Sequence, residues 1–154
     1  IITGSPNHYT SNGRLNGYKK AMTNAGLTIT DDYIQCGDYC IDGGYEAMMR
    51  LCKLQKRPTA IFISNYDMTI GAYLAINYLR LKIPDDISVI GFDNFPLANV
   101  VNPPLSFAEQ PTNVMGTEAG KLLYRRICGD YSDYPKTIMH KPTMHYKESI
   151  RQLT

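Results

Sequence analysis

Apolar residues along the chain recur with two spacings, one typical of amphipathic helices and the other of buried strands. The helical spacing predicts three helices, over residues 11–25, 42–54 and 67–81. Short apolar runs between and after these helices predict three strands, over residues 33–36, 60–63 and 87–92. Because strands and helices alternate, the predicted fold class is α/β, with an open, doubly wound, mostly parallel sheet. Right-handed crossovers then place the carboxyl ends of the strands along one edge.

The alternation changes after Asp93. A loop is predicted over residues 95–104, followed by a strand over residues 105–108 and a helix over residues 111–128. Two further strands are predicted over residues 137–140 and 143–147. The helix opens on Pro111 and is followed by Gly129, which suits a helix start and stop. Its apolar face is expected to point inward and consists of Met115, Ala119, Leu122, Leu123 and Ile127.

Composition limits the function classes. The 154 residues suffice for one compact domain or most of one. Hydrophobic residues make up 44% of the chain and charged residues 19%, which allows a buried core. The formal net charge of +2 is too small to indicate a nucleic-acid-binding surface. No apolar run reaches the roughly 18 residues that a membrane-spanning helix needs, and no signal peptide is visible.

Cysteine and histidine spacing indicates no metal site. The four cysteines are interpreted as small hydrophobic residues, buried in a protein of the reducing cytoplasm. Cys36 and Cys40 have a CxxxC spacing, but no second pair completes a zinc site. His8, His140 and His145 also lack the spacing of a metal-binding pair. We therefore expect neither a metal nor a cofactor.

Four segments carry a family signal. They are RLNGY at residues 14–18, SN and MTIGA within residues 64–72, PDDISVIGFDN at residues 84–94, and PPLS, QP and MG within residues 103–116. Together and in this order they resemble the signatures of LacI-type transcriptional regulators, over nearly the whole chain. The family pattern has Asp after Asn65, whereas this chain has Tyr66. Capping of the helix that follows is therefore assigned to either Asn65 or Asp67.

The resemblance implies a periplasmic-binding-protein-like effector domain of two lobes, of which this chain supplies part. Residues 1–107 and 137–150 are expected in the C-terminal lobe, and residues 108–136 in the N-terminal lobe. The rest of that lobe and the DNA-binding head are expected outside the chain.

Five residues are the predicted effector-binding site, by resemblance and by their place at strand ends: Arg14, Tyr39, Asn65, Asp93 and Gln110. A guanidinium can bind a pair of hydroxyls or a carboxylate, and Asp93 can accept charge-assisted hydrogen bonds from a ligand. Tyr39 offers a flat ring. Each residue also has an interpretation without a ligand: Arg14 as a surface arginine, Tyr39 as a half-exposed loop tyrosine and Asp93 as a turn-forming aspartate. For Tyr39 the two interpretations are equally supported.

The predicted function is ligand sensing for a DNA-binding regulator, without catalysis, because no acid/base pair or metal cluster is visible. The implied partners are a small effector, a sugar on family grounds, and operator DNA bound by the absent head. A purine or an amino acid could use the same residues. Dimerisation is expected through residues 67–81, which are apolar around most of the helix, and residues 95–101. The alternative function is a secreted sugar-binding receptor of a transport system.

Overall fold

A computed structural model describes residues 1–93 and 96–152, with the side chain of residue 97 left out. The strands are β1 (Ile2–Thr3), β2 (Gln35–Cys36), β3 (Ala60–Phe62), β4 (Ser88–Phe92), β5 (Ser106–Glu109) and β6 (Thr143–His145). The helices are α1 (Tyr9–Asn24), α2 (Ile41–Lys53), α3 (Tyr66–Tyr78), α4 (Leu97–Val100) and α5 (Thr112–Ile127). Within the described ranges, none of these helices is long and apolar enough to cross a membrane.

The strands form one continuous layer in the order β2-β1-β3-β4-β5-β6. Parallel pairing joins β1 to β2 and also joins β3, β4 and β5, while β6 runs antiparallel to β5. A parallel bridge between Ile2 and Ile63 connects the two sets, and Ser64 N donates to Ile2 O across 3.0 Å. The predicted doubly wound, mostly parallel sheet is confirmed, and its connections reverse direction between β1 and β3.

Helices α2 and α3 pack closely on each other and bury the core on one face of the sheet. Met48, Met68 and Ile76 are almost completely buried there. Contact between the helix backbones depends on Gly71, since a Cβ at that position would lie 1.9 Å from Ile41 O. This packing explains why the sequence of α3 is apolar on most sides: α2 covers one side and the sheet another.

Helix α1 covers the other face of the sheet more loosely. Ser11 is its one buried residue, and its apolar residues Leu15, Tyr18 and Met22 are only half-buried. The helix therefore has room beneath it. A cavity of about 500 Å³ lies between α1 and the sheet, where Tyr18 and Met22 are part of its lining.

The inward-facing prediction for α5 is wrong within this chain. The helix has no buried residue, and Leu123 and Ile127 are 62% and 74% exposed. Met115 and Ala119 are exposed as well, and Leu122 is half-buried. Of the described residues, Ile138 lies beside Met115, Ala119 and Leu122, but it leaves Leu123 and Ile127 exposed.

Three further predictions require correction. Residues 97–100 form a short helix inside the predicted loop, and residues 137–140 are not a strand. Cys36, Cys40 and Cys128 are exposed rather than buried. Cys40 has a polar role instead, because its Sγ accepts a hydrogen bond from Gly43 N at the start of α2.

Candidate functional site

The carboxyl ends of β1, β3 and β4 meet at one edge of the sheet because these strands are parallel. The connection after β1 leads to β2 on one side, and the connection after β3 leads to β4 on the other. The reversal opens a crevice, which is where open α/β sheets bind their ligands. The five residues predicted as a site follow these strand ends or lie on the adjoining elements.

Arg14 extends from α1 across the edge. Its Nη1 donates to Ser64 O at 2.5 Å, and its Cζ lies 3.8 Å from the ring centroid of Phe92. The first contact places the guanidinium at the end of β3, and the second places it at the end of β4. Arg14 is half-buried and held by both strands, which contradicts the interpretation as a free surface arginine.

Asp93 directly follows β4 and has a strained backbone conformation. Its φ of 79° lies in the left-handed region, which a non-glycine residue adopts at a cost. Asp93 N donates to Ala108 O at 2.8 Å, and Asp93 Oδ1 accepts from Gln110 Nε2 at 2.6 Å. The pairing of β4 with β5 therefore brings Gln110 and Asp93 into direct contact.

Tyr39 is also in the left-handed region, with a φ of 59°, and follows Asp38 at 50°. Both central residues of the turn have positive φ, and Cys40 N donates to Gly37 O across 3.2 Å to close it. The Tyr39 hydroxyl lies 2.7 Å from Ser11 Oγ on α1. This bond ties the loop after β2 to the start of α1.

Asn65 is the residue that caps α3. Its Oδ1 accepts from Met68 N at 2.9 Å, while Asp67 lies in the first turn of the helix. The two capping candidates are thereby separated: Asn65 is the cap, and Tyr66 is the first helical residue. The exchange of the family's usual Asp for Tyr66 leaves the cap intact.

One direct hydrogen bond, from Gln110 to Asp93, and contacts through neighbouring residues link the five predicted residues. Arg14 contacts the neighbours of Asn65 and Asp93, Gln110 contacts Asp93, and Tyr39 is joined to α1 one turn before Arg14. Sequence reasoning missed Ser11, although it precedes Arg14 by three residues and so lies on the same side of α1. It also missed Phe92, which the GFD segment places beside Asp93.

The group lines an open edge, and two sizeable cavities lie elsewhere. The cavity of about 500 Å³ lies under α1, and another of about 540 Å³ lies at the end of α3, where Tyr73 and Asn77 line it. Neither includes any of the five residues. The edge therefore supplies one wall of a site without enclosing it.

Two histidines have carboxylate partners that their sequence spacing did not reveal. His145 Nε2 lies 2.7 Å from Glu109 Oε2, and His140 Nε2 lies 3.2 Å from Glu118 Oε2. No three histidine, cysteine or acidic residues within the described ranges are grouped to hold a metal ion. These pairs instead attach the last part of the chain to β5 and α5.

Comparison with known proteins shows which family this chain is similar to. A family model described as a periplasmic binding protein-like domain matches residues 1–150. The ribose operon repressor of Escherichia coli strain K12 is 40% identical over 126 residues, which cover 82% of this chain and 38% of the repressor. The HTH-type transcriptional repressor PurR of Histophilus somni strain 2336 is 37% identical over 153 residues, covering 99% and 46%. The chain spans less than half the length of both relatives.

A solved structure agrees with these relatives. The sugar-binding LacI-family transcriptional regulator of Escherichia coli, crystallised in complex with phosphate, matches with a TM-score of 0.83 and 31% sequence identity. The match covers 97% of this chain and 53% of that regulator.

Proposed function

The chain belongs to the periplasmic-binding-protein-like domain family, in the form that LacI-type transcriptional regulators use for ligand sensing, and we propose that it binds a small effector at the carboxyl edge of its sheet. Effector binding would then control a DNA-binding head that lies outside this chain.

One observation carries the proposed site: the Arg14 guanidinium lies across the ends of β3 and β4, between Ser64 O and the Phe92 ring. Asn65 and Asp93 directly follow those two residues. A guanidinium, an amide and a carboxylate are therefore brought to one edge, where they provide donors and acceptors for paired ligand groups.

A sugar is the proposed effector class. Vicinal hydroxyls both donate and accept, so they match a mixed set of one carboxylate, one amide and one guanidinium. One relative is named for the ribose operon, and the matching crystal structure is named as sugar-binding. The second relative is named PurR, so a purine is the alternative effector to test beside a sugar.

We assign residues 1–107 and 137–150 to one lobe and residues 108–136 to the other. The lack of any buried residue in α5 supports this division, because the apolar side of α5 then faces the rest of the second lobe. The effector would bind between the lobes and change their relative angle. A difference in affinity for two states of about 1–3 kcal/mol suffices for a useful response.

A homodimer is proposed through the exposed parts of α3 and α4. Most of α3 is buried in the core. The dimer interface predicted over residues 67–81 is therefore limited to exposed residues such as Leu74 and Tyr78, whose exposed fractions are 51% and 70%. Val100, in the predicted segment 95–101, is 75% exposed, whereas Phe95 lies outside the described residues. These apolar side chains suit burial against a second copy.

We place the protein in the cytoplasm and assign it binding without turnover. Both curated relatives are named as repressors, which favours a regulator over a secreted transport receptor and over an enzyme. Operator DNA would be the second partner, bound by the head outside the chain.

The test is calorimetric titration of the intact protein with D-ribose and with hypoxanthine. We expect saturable binding of one of them, its loss in Arg14→Met, and its retention in Lys20→Met, a matched change at an exposed position of the same helix. Ligand recovered chemically unchanged supports sensing, and conversion of the ligand would identify an enzyme instead. Binding to neither compound rules out ribose and hypoxanthine as the effector.

A further inference from the structure

His145 joins β6 to the end of β5 through two contacts. It lies opposite Phe107 in the antiparallel register, and the two rings stack at a centroid distance of 4.8 Å. Its Nε2 also lies 2.7 Å from Glu109 Oε2. Phe107 and Glu109 are two residues apart on β5, so their side chains lie on the same side of that strand. A single imidazole therefore contacts β5 at two successive positions of one side.

The strength of this link depends on charge. Glu109 is the acidic group that faces the imidazole from β5, and both residues of the pair are half-buried. Lys147, two residues beyond His145, is the cation beside them, with its Nζ 5.2 Å from the Phe107 centroid and in contact with Asn99 Oδ1. Because a neutral imidazole carries no net charge, Glu109 and His145 form an ion pair only when His145 is protonated.

The end of β5 depends on β6 for its support. Pairing of β4 with β5 ends at Ala108, whereas pairing of β6 with β5 continues to Glu109. Gln110 directly follows Glu109, and its Nε2 donates to Asp93 Oδ1. A shift of Glu109 relative to β6 would therefore move the amide that orients the Asp93 carboxylate.

We propose that Glu109 and His145 are positioning residues for the effector site, which hold Gln110 against Asp93 by fixing the end of β5 on β6. This inference rests on the proposed function, in which Asp93 binds the effector. It makes effector affinity depend on a charge outside the site, because the protonated imidazole attracts Glu109 more strongly than the neutral one. Histidine side chains gain a proton as the pH falls from about 8 to about 6, so affinity should rise over this interval.

The first test uses the ligand-free intact protein and requires no effector. The side-chain amide of Gln110 is observed by ¹⁵N NMR and identified as the signal missing in Gln110→Glu. We expect this signal to move between about pH 8 and about pH 6 in the unmodified protein, and to be displaced and independent of pH in His145→Gln. The control His140→Gln removes the histidine that contacts Glu118 on α5, and should leave the Gln110 titration unchanged. An identical Gln110 signal in His145→Gln and the unmodified protein overturns the positioning role.

The second test measures D-ribose affinity by calorimetry at about pH 6 and about pH 8. Half-buried ion pairs contribute modestly, so we expect about two- to fivefold tighter binding at the lower pH. His145→Gln should weaken binding and abolish this pH dependence. His145→Arg supplies a permanent planar cation that can stack on Phe107 and bind Glu109, so it should bind at both pH values as the unmodified protein does at the lower one. Equal loss of affinity in both variants would contradict a role of the charge.

The two tests separate this inference from the proposed function. Absence of ribose binding in the unmodified protein contradicts the sugar effector, whereas the Gln110 signal still decides the role of His145. A pH dependence of binding that persists in His145→Gln assigns the titration to another group, such as His8 beside Tyr39, and overturns the inference.

Discussion

Gln110 Nε2 donates to Asp93 Oδ1 across 2.6 Å, although 17 residues separate the two in sequence. The contact depends on the parallel pairing of β4 and β5, which also joins Asp93 N to Ala108 O. Gln110 thereby orients the carboxylate and leaves Oδ2 without a donor among the described residues. A ligand hydroxyl can bind Asp93 there.

Asp93→Asn should lower effector affinity while leaving the fold intact. Asparagine tolerates the left-handed backbone as aspartate does, so the change removes charge with little strain. Loss of charge-assisted bonds of about 1.5–3 kcal/mol corresponds to about 10- to 150-fold weaker binding. Calorimetry measures the affinity, and Asp85→Asn at an exposed loop position is the control. Equal affinity of Asp93→Asn and the unmodified protein removes Asp93 from the site.

Two substitutions at Asn65 separate capping from binding. Asn65→Ala removes the acceptor for Met68 N and should cost about 1 kcal/mol of unfolding free energy, measured by urea denaturation. Asn65→Asp keeps that acceptor but loses the amide donor, so stability should stay near normal while affinity falls. If Asn65→Asp binds the effector normally, Asn65 is a structural cap and not a ligand contact.

Gly71→Ala should destabilise the protein by about 1–3 kcal/mol or more, because the new Cβ would overlap Ile41 O and Tyr45 N in α2. Gly17→Ala is the matched change in α1, where a Cβ would meet nothing within 4 Å. That variant should be more stable by about 0.5–1 kcal/mol, from helix propensity alone. Urea denaturation measures the change in unfolding free energy of both variants, which should have opposite signs. An equal change in the two variants would contradict the close packing of α2 on α3.

The turn after α5 should respond to acid. Hydrogen bonds from Ser132, and a further one from Arg125, lower the pKa of Asp130 from 3.8 to about 2. Arg126 and Lys136 lower the pKa of Asp133 in the same direction. Because both pKa values are lower in the folded state, these carboxylates stabilise the turn above pH 3.8, and the contribution is lost as pH falls towards 2.

NMR titration of the side-chain carboxyl carbons checks this expectation. The Ser132 amide should move together with the Asp130 carboxyl, since Ser132 N donates to Asp130 Oδ1 across 3.0 Å. Arg125→Met should raise the midpoint of Asp130 towards its ordinary value. A midpoint already near 3.8 in the unmodified protein would show that these bonds do not form in solution.

Local sequence signals were sufficient for most elements of the fold. The spacing that predicted helices over residues 42–54 and 67–81 corresponds to α2 and α3, with ends shifted by no more than three residues. Periodicity works there because the buried side of each helix is determined by local residue order. It did not reveal α4, since four residues are too few to show a helical period.

The site was predicted in part by local order and in part by family resemblance. Parallel strands place their carboxyl ends at one edge, so residues that follow those strands, such as Asn65 and Asp93, could be grouped from the sequence. The bond between Ser11 and Tyr39 could not, because it depends on how α1 lies over the sheet. For Tyr39 the sequence supports a ligand contact and a half-exposed loop tyrosine equally, because its loop position alone does not distinguish them.

The amino-acid sequence by itself determined the α/β class, the alternation of its elements, and the edge at which the polar residues gather. Those properties follow from hydrophobic period and chain handedness, which are local. Tertiary structure decided that Gln110 orients Asp93, that Asn65 caps α3, and that Arg14 lies between Ser64 O and Phe92. These contacts join residues distant in the chain or select one of several possible local partners, and only packing in three dimensions sets such distances.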